Sequence, residues 1–398
     1  MSNENGSGRR TTSRRKFLSV TAALGAAGLA GCSGPQVSGR SGAETAAGDE
    51  RVAEQVSEWS GSDSTAVETD YPYTAPPQTI DLDETDGAVT LSTEACRHRL
   101  LGDDSQGGPW ELPEVWGWKT ADTEPSVPGP VLRVTEGTEM EITYDNTQHN
   151  RPHTFHVHAH EKSWMDDGAP TTTGRQVGPG ESETYEITAN VPGTHLYHCH
   201  FQTQNHLDLG MYGILRVDPV DYEPPDKEFF LTLKDWDSNL SRLIANAEDA
   251  EYSHRDRNPD TFTINGRSGP TSFHPEVGSP LIVEAGDTVR VHLSNNGYEA
   301  HPIHLHNHRY QVVEKDGSEV PEAARYDEDV TNIAPAERKT IEFEADADPG
   351  IYLLHCHKVH HVMNENSYPG GMIVPLVYES AMDTPQFEAA MEQAGFEG

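Results

Sequence analysis

Basic residues are scarce in this chain of 398 residues: 28 Lys and Arg stand against 65 Asp and Glu, a formal net charge of −37. That deficit excludes nucleic acid and anionic membrane surfaces as partners held by charge. The acidic residues are spread along the chain and not gathered in one tail, which points to a carboxylate-rich surface adapted to high salt. Cysteine is sparse too. Cys32, Cys96, Cys199 and Cys356 are too few to frame a fold by disulfides, and a chain of this length does not need them. Beyond the N-terminal segment no run is apolar enough to span a membrane, and long helical periodicity is scarce.

The N-terminus reads as a targeting segment over residues 1–32 and is set aside from the fold. Ser13-Arg14-Arg15-Lys16-Phe17-Leu18 is a twin-arginine pattern, and the apolar run from Phe17 to Ala30 is too short for a transmembrane helix. It ends in Leu29-Ala30-Gly31-Cys32, which resembles a lipobox, so Cys32 becomes the expected lipid attachment point. The expectation is export by the twin-arginine route and a lipid anchor on the extracellular face of the cell membrane. Residues 33–72, rich in Gly, Ser, Ala and Glu, read as a flexible acidic tether.

The remainder of the chain contains an internal repeat. Pro130 to Gly137 precedes His153-Thr154-Phe155-His156-Val157-His158-Ala159-His160, and Pro280 to Gly286 precedes His301-Pro302-Ile303-His304-Leu305-His306-Asn307-His308. Each block leads to a second cluster, His198-Cys199-His200 and His355-Cys356-His357. Short alternating runs such as Glu139–Tyr144 and Thr288–Leu293, bounded by Gly, Pro, Asn and Asp, are strand and turn chemistry. The predicted fold class is all-β: two tandem sandwiches over 73–222 and 223–380, followed by a tail over 381–398. Their boundary falls near Pro219 to Lys227, where Pro224-Pro225 breaks the pattern.

Side chains alternate faces along a strand. In His198-Cys199-His200 and His355-Cys356-His357 the imidazoles therefore share one face and the thiol points to the other. His156 and His158 share a face, as do His304 and His306, while His153 and His301 fall opposite. Four imidazoles on one face suit a borderline metal such as copper or zinc. A thiolate with two imidazoles and a weak axial Met is a blue-copper arrangement. The candidate sets are His153, Cys199, His206 and Met211, and His301, Cys356, His361 and Met372.

On these four motifs the sequence resembles the multicopper oxidases, specifically the two-domain, laccase-like branch, over about residues 75 to 378. Its acidic surplus is of the haloarchaeal kind. The resemblance implies cupredoxin-like Greek-key domains and about four or five coppers per chain. Type 2 copper would take His156 and His304. The type 3 pair would take His158, His198, His200, His306, His355 and His357. It implies a homotrimer in which the two halves of the cluster meet between neighbouring subunits. It also implies a catalytic route: an electron from a phenol-like molecule or metal ion reaches Cys199 through an exposed imidazole edge at His206. That electron then passes by His198 and His200 to dioxygen.

Two departures stand out. His206 lies seven residues after Cys199 where the family commonly has five, and Met372 lies eleven after His361 where the first half has five between His206 and Met211. The stretch from Asn364 to Gly371 would have to loop out, and His360 is an alternative to His361. His160 and His308 are expected to steady ligands through hydrogen bonds; His195, Asp208, His254, His274 and His292 carry no motif. Cys96 is expected as a buried free thiol. With eight Met and no Met-rich insertion, a dedicated cuprous oxidase is disfavoured. The rivals are a copper nitrite reductase and a non-enzymatic electron-transfer or copper-storage cupredoxin. The nitrite reductase needs an aspartate two residues before its first-domain type 2 histidine; if that is His158, the position holds His156. The non-enzymatic reading leaves eight paired histidines without a task.

Overall fold

The computed structural model describes residues 71–102, 107–247 and 252–393. Residues 1–70, with the expected twin-arginine segment, Cys32 and nearly all of the expected tether, lie outside them. Among the described residues four sheets account for the strands, and each sheet draws on one half of the chain only. In the first half, one sheet runs in the order Thr79–Asp81, Val131–Thr135, Tyr212–Asp218, Gly193–His198 and His156–Val157. Its companion runs Glu111–Lys119, Ala88–Arg99, Glu139–Asp145, Ser182–Thr188 and Glu161–Lys162. The second half repeats the plan. A five-stranded sheet places Ile351–Cys356 between Ile373–Tyr378 and His301–Leu305, and a six-stranded sheet is built around Thr288–Asn295 and Arg338–Glu344.

Alternation decides which faces meet. In Glu139–Asp145 the side chains of Met140, Ile142 and Tyr144 are buried, and those of Glu139 and Glu141 are exposed. Each half has an apolar core, the first also taking in Leu240 and Ile244 from the second, and each core includes the thiol and methionine of its candidate site: Cys199 with Met211, Cys356 with Met372. Thr288–Asn295 breaks the alternation, burying His292, Ser294 and Asn295. For His292 the reason is a contact with Thr194 of the first half, joined by one to Glu228 of its own half. Thr194 Oγ1 lies 2.8 Å from His292 Nδ1, and His292 Nε2 lies 2.9 Å from Glu228 Oε1. His292, which carries no sequence motif, is thus a fixture of the seam between halves.

Two further contacts hold that seam. Cys96, fully buried and unpaired, packs with Leu112, Val115 and Val127 against Tyr212 and Trp236. Beside it lies an ion cluster. Arg257 places Nη2 2.8 Å from Asp208 Oδ1 and Nη1 2.9 Å from Asp235 Oδ2, and Lys234 Nζ lies 3.0 Å from Asp208 Oδ1. Both carboxylates are sealed from solvent, at 1% and 0% exposed. Asp208 belongs to the helix Thr203–Asp208 of the first half and Asp235 to the strand Lys227–Trp236 of the second.

Removing one partner of a buried ion pair leaves an uncompensated charge. Arg257→Ala is expected to destabilise the fold by about 3–5 kcal/mol in chemical denaturation. A loss below about 1 kcal/mol would mean that the pair is solvated.

Candidate metal centres

The strand Gly193–His198 ends at His198, so Cys199 and His200 sit where the chain leaves the sheet. The Cys199 N–H donates to the Met211 carbonyl at 3.1 Å, and the Met211 N–H donates to the His206 carbonyl at 3.0 Å. Those two bonds fix thiol, imidazole and thioether around one point. Cys199 Sγ is 3.0 Å from His206 Nδ1 and 3.8 Å from His153 Nδ1, and the two nitrogens are 3.2 Å apart. The extra residues between Cys199 and His206 are taken up by the helix Thr203–Asp208, which comes after a left-handed turn at Gln202 (φ 43°).

The second half builds the same arrangement across a longer gap. Cys356 Sγ lies 3.6 Å from His361 Nδ1 and 3.8 Å from His301 Nδ1, again with the nitrogens 3.2 Å apart. The Cys356 N–H donates to the Met372 carbonyl at 3.0 Å, and the Met372 N–H to the His361 carbonyl at 2.7 Å. Met372 therefore takes the backbone register of Met211. The intervening residues loop out: Asn364 and Ser367 exchange backbone bonds, and the Asn364 side chain donates to Gly269 O at 2.6 Å while accepting the Gly371 N–H at 2.9 Å. Gly371 turns back at φ 62°, where a Cβ would sit 1.9 Å from the His361 carbonyl oxygen. His360 is exposed and packs edge-on against His361, outside the thiol group.

The paired imidazoles form two further groups, His156 with His158 and His198, and His304 with His306 and His355. His200 and His357 join them by ring contact, 4.9 Å from His156 and 5.5 Å from His304 between centroids. Backbone carbonyls fix the tautomers. His156 Nδ1 donates to Asp167 O at 2.6 Å and His304 Nδ1 to Asp329 O at 2.7 Å. His198 and His355 donate to the carbonyls of Cys199 and Cys356 at 3.0 and 2.9 Å. A carbonyl only accepts, so Nδ1 carries the hydrogen and Nε2 keeps a free lone pair. At His198 and His355 that lone pair faces a second imidazole and accepts from it: His158 Nε2 is 3.1 Å from His198 Nε2, and His306 Nε2 is 3.0 Å from His355 Nε2. Among the described residues no group of close ligating atoms mixes the two halves.

Burial sets the protonation states. Desolvation, then the neighbouring imidazoles, holds His158 to about 2, and desolvation with nearby His156 holds His198 to about 3. His206 and His361 are likewise held to about 3, first by burial. The Cys199 and Cys356 thiols are pushed up to about 11 by the same loss of water. Neutral imidazoles beside un-ionised thiols need a soft cation to draw off the thiol proton.

Some expectations require correction or refinement. His206 offers no exposed edge: it is 1% exposed, with Trp116 4.8 Å away edge-on and Phe201 at 5.5 Å. The covering residue comes from a strand about ninety positions upstream, beyond the reach of local pattern. His308 does bond a ligand segment, donating from Nδ1 to the His306 carbonyl at 3.0 Å. His160 instead packs edge-on against His195, centroids 4.4 Å apart. Sequence reading missed three residues at the outer edges of the thiol-flanking imidazoles: His149, Asp235 and Glu299. His149 lies four residues before His153, a weak signal; the other two have none.

Two regions of the chain, residues 118–221 and 245–369, match multicopper oxidase domains and together cover more than half of it. The chain belongs to the multicopper oxidase family. A probable nitrite reductase-hydroxylamine oxidoreductase fusion protein of Kuenenia stuttgartiensis is 30% identical over 289 residues, 70% of this chain and 31% of its own length. A copper-containing nitrite reductase of Neisseria meningitidis is 28% identical over 251 residues, 61% of this chain and 60% of its own. The chain thus spans less than two thirds of the length of these curated relatives. The crystal structure of a blue copper oxidase from Nitrosomonas europaea matches with a TM-score of 0.65 at 29% identity, covering 75% of this chain and 88% of that one.

Membership of a multicopper oxidase family implies copper, and the donor sets fit it: buried Cys-His-His groups beside a buried Met, and imidazole groups in which His156, His198, His304 and His355 keep Nε2 as an acceptor. At pH 8 a thiol raised to about 11 is protonated, whereas the His206 and His361 imidazoles are not. Copper loading at pH 8 should therefore release one proton per filled cysteine site, read in a weakly buffered solution. The affinity of each such site should rise about tenfold per pH unit below the thiol pKa. Gly371→Ala is expected to cost about 1 kcal/mol or more and to displace Met372. Optical spectra of the copper-loaded protein should show the second-half contribution altered and the first-half contribution intact.

Proposed function

We propose that the protein is a copper-dependent oxidase that takes single electrons from a reduced small molecule or metal ion at its cysteine sites and passes them to dioxygen, forming water. The observation that carries this reading is covalent adjacency. Each buried thiol lies between two imidazoles of a four-histidine face, as His198-Cys199-His200 and His355-Cys356-His357. Bound copper would supply the one-electron chemistry at the thiols and the oxygen chemistry at the imidazoles. The chain's own part is to hold the ligands. Cys199 and Cys356 would hold the electron-accepting copper within a desolvated shell, and one residue of backbone joins each thiol to the imidazoles on either side, His198 and His200 or His355 and His357. His156 and His304, steadied by carbonyls, complete the two faces in the roles expected for type 2 copper. His158, His198, His200, His306, His355 and His357 have those expected for type 3.

The four-histidine faces are partly open, with the His304 side chain 21% exposed, and the two faces remain separate within one chain. This favours assembly in which a face of one subunit meets the other face of its neighbour, and a ring of three closes the set. Export through the twin-arginine route, a lipid anchor at Cys32 and adaptation to high salt belong to the same proposal. They rest on the N-terminal pattern and the acidic surplus.

A nitrite reductase is the second reading, favoured by the names of the curated relatives. Against it, His156 occupies the place two residues before His158 where that chemistry needs a carboxyl group, and its ring joins the His158 and His198 group. Copper analysis with an optical spectrum separates the two. About four or five coppers per chain with a blue band are expected for the oxidase. About two would overturn the eight-histidine cluster and favour nitrite reduction.

A further inference from the structure

The imidazoles flanking the two thiols turn their far edges toward groups of different charge. In the first half, His153 Nε2 lies 2.8 Å from His149 Nδ1. With His153 facing the thiol through Nδ1, its Nε2 carries the hydrogen and donates. His149 Nδ1 must then accept, which makes His149 a neutral imidazole. The nearby charge is positive, with the Arg151 guanidinium 5.9 Å from the Trp116 ring that covers both His149 and His206. In the second half the corresponding edges meet carboxylates. His301 Nε2 is 3.5 Å from Asp235 Oδ1, and His361 Nε2 is 3.4 Å from Glu299 Oε2. Asp235 is an ionised acceptor by its partners: the N–H groups of Tyr298 and Glu299 at 2.8 and 3.1 Å, and Arg257 Nη1 at 2.9 Å. Glu299 in turn pairs with Lys358 at 2.6 Å. These cations soften the negative field, but the charge nearest each imidazole N–H remains a carboxylate oxygen.

A carboxylate behind a ligating imidazole raises its basicity and stabilises the more positive state of the bound metal. The methionines do not separate the sites, since Met211 and Met372 share one backbone register. We propose that Asp235 and Glu299 hold the His301–Cys356–His361 site at a lower potential than the His153–Cys199–His206 site, making the two an ordered pair. The inference rests on the reading of both thiol groups as blue-copper sites. With copper bound at both, an electron supplied by a one-electron donor would settle on the first-half site, the second-half site giving up one electron as the first-half site takes it. Solvent access does not order the two sites: His206 lies under Trp116 at 1% exposed and His361 under Phe262 at 0%. Asp235, Glu299 and His149 act as positioning residues, through the imidazoles they touch.

The test uses the full copper-loaded chain with one thiol removed at a time. Cys199→Ser leaves the second-half site and Cys356→Ser the first. Each blue band is titrated with graded ferricyanide and ferrocyanide, with copper content measured on the same samples. The Cys199→Ser band should have the lower midpoint. The expected preference of an electron for the first-half site is at least tenfold, about 59 mV for a one-electron couple. Glu299→Gln, at a half-buried position that tolerates the change, should raise the midpoint in the Cys199→Ser background and leave it unmoved with Cys356→Ser. Asp235→Asn should raise it further. Equal midpoints, a reversed order, or no response to Glu299→Gln would overturn the inference while leaving both blue sites in place. A Cys199→Ser protein with no blue band would instead overturn the copper reading of the second-half thiol, and the inference with it.

Discussion

Neighbouring residues on an extended chain point to opposite sides, and that constraint binds the thiols of this protein to the imidazoles around them. Because His198 and His200 flank Cys199, a group that senses the thiol on the core side is one residue from two groups on the open side. No rearrangement of loops can separate them. The rest of the structure serves that junction. Cores close around Cys199 and Cys356, carbonyls hold the paired imidazoles in one tautomer, and helices and loops return His206, His361 and the two methionines to the thiols. The duplication gives two such junctions, and the seam between halves keeps them in one rigid frame through Thr194, His292, Asp208 and Arg257.

Much of this was legible in the sequence because the relevant distances are short along the chain. The His-x-His and His-Cys-His spacings translate into faces by strand periodicity alone, and the duplicated order implies paired sandwiches. Met372 was harder. Eleven residues after His361 say nothing of where a chain goes; what returns it is Asn364, whose side chain bonds Gly269 and Gly371 at once, together with a glycine at a positive φ. The cover over His206 was not legible at all, since Trp116 arrives from a different strand. Asp235 and Glu299 were invisible for the same reason: a buried carboxylate near a histidine leaves no local pattern. Expectations failed where a side chain's surroundings are assembled by tertiary packing and not by its neighbours in sequence.

The seam shows how the charge balance of the surface differs from that of the interior. Outside, an excess of carboxylates is tolerated because water and salt screen it. At the seam, buried carboxylates are matched: Asp208 by Lys234 and Arg257, Asp235 by Arg257 and backbone N–H groups, Glu228 by Arg133 with a hydrogen bond to His292. A buried charge cluster of this kind is weak evidence for added stability, since apolar packing of equal volume often does as well. What it supplies is position. Asp208 sits two residues after His206, and Asp235 touches His301, so the same guanidinium that joins the halves also ties together the surroundings of both thiol sites.

The interior of each site is built in a condition that only a cation relieves. Desolvation keeps His158, His198, His206 and His361 neutral, which removes the repulsion that would otherwise force such close imidazoles apart. The same desolvation keeps the thiols protonated, while His158 with His198 and His306 with His355 share a hydrogen between Nε2 atoms at 3.1 and 3.0 Å. A soft metal ion at a thiol group would displace the thiol proton, and ions at the imidazole groups would take the Nε2 lone pairs in place of that hydrogen bond. Folding therefore gives up stability to assemble these groups, and metal binding restores it. The four motifs that make the sequence readable are thus also the places where the fold alone is least content.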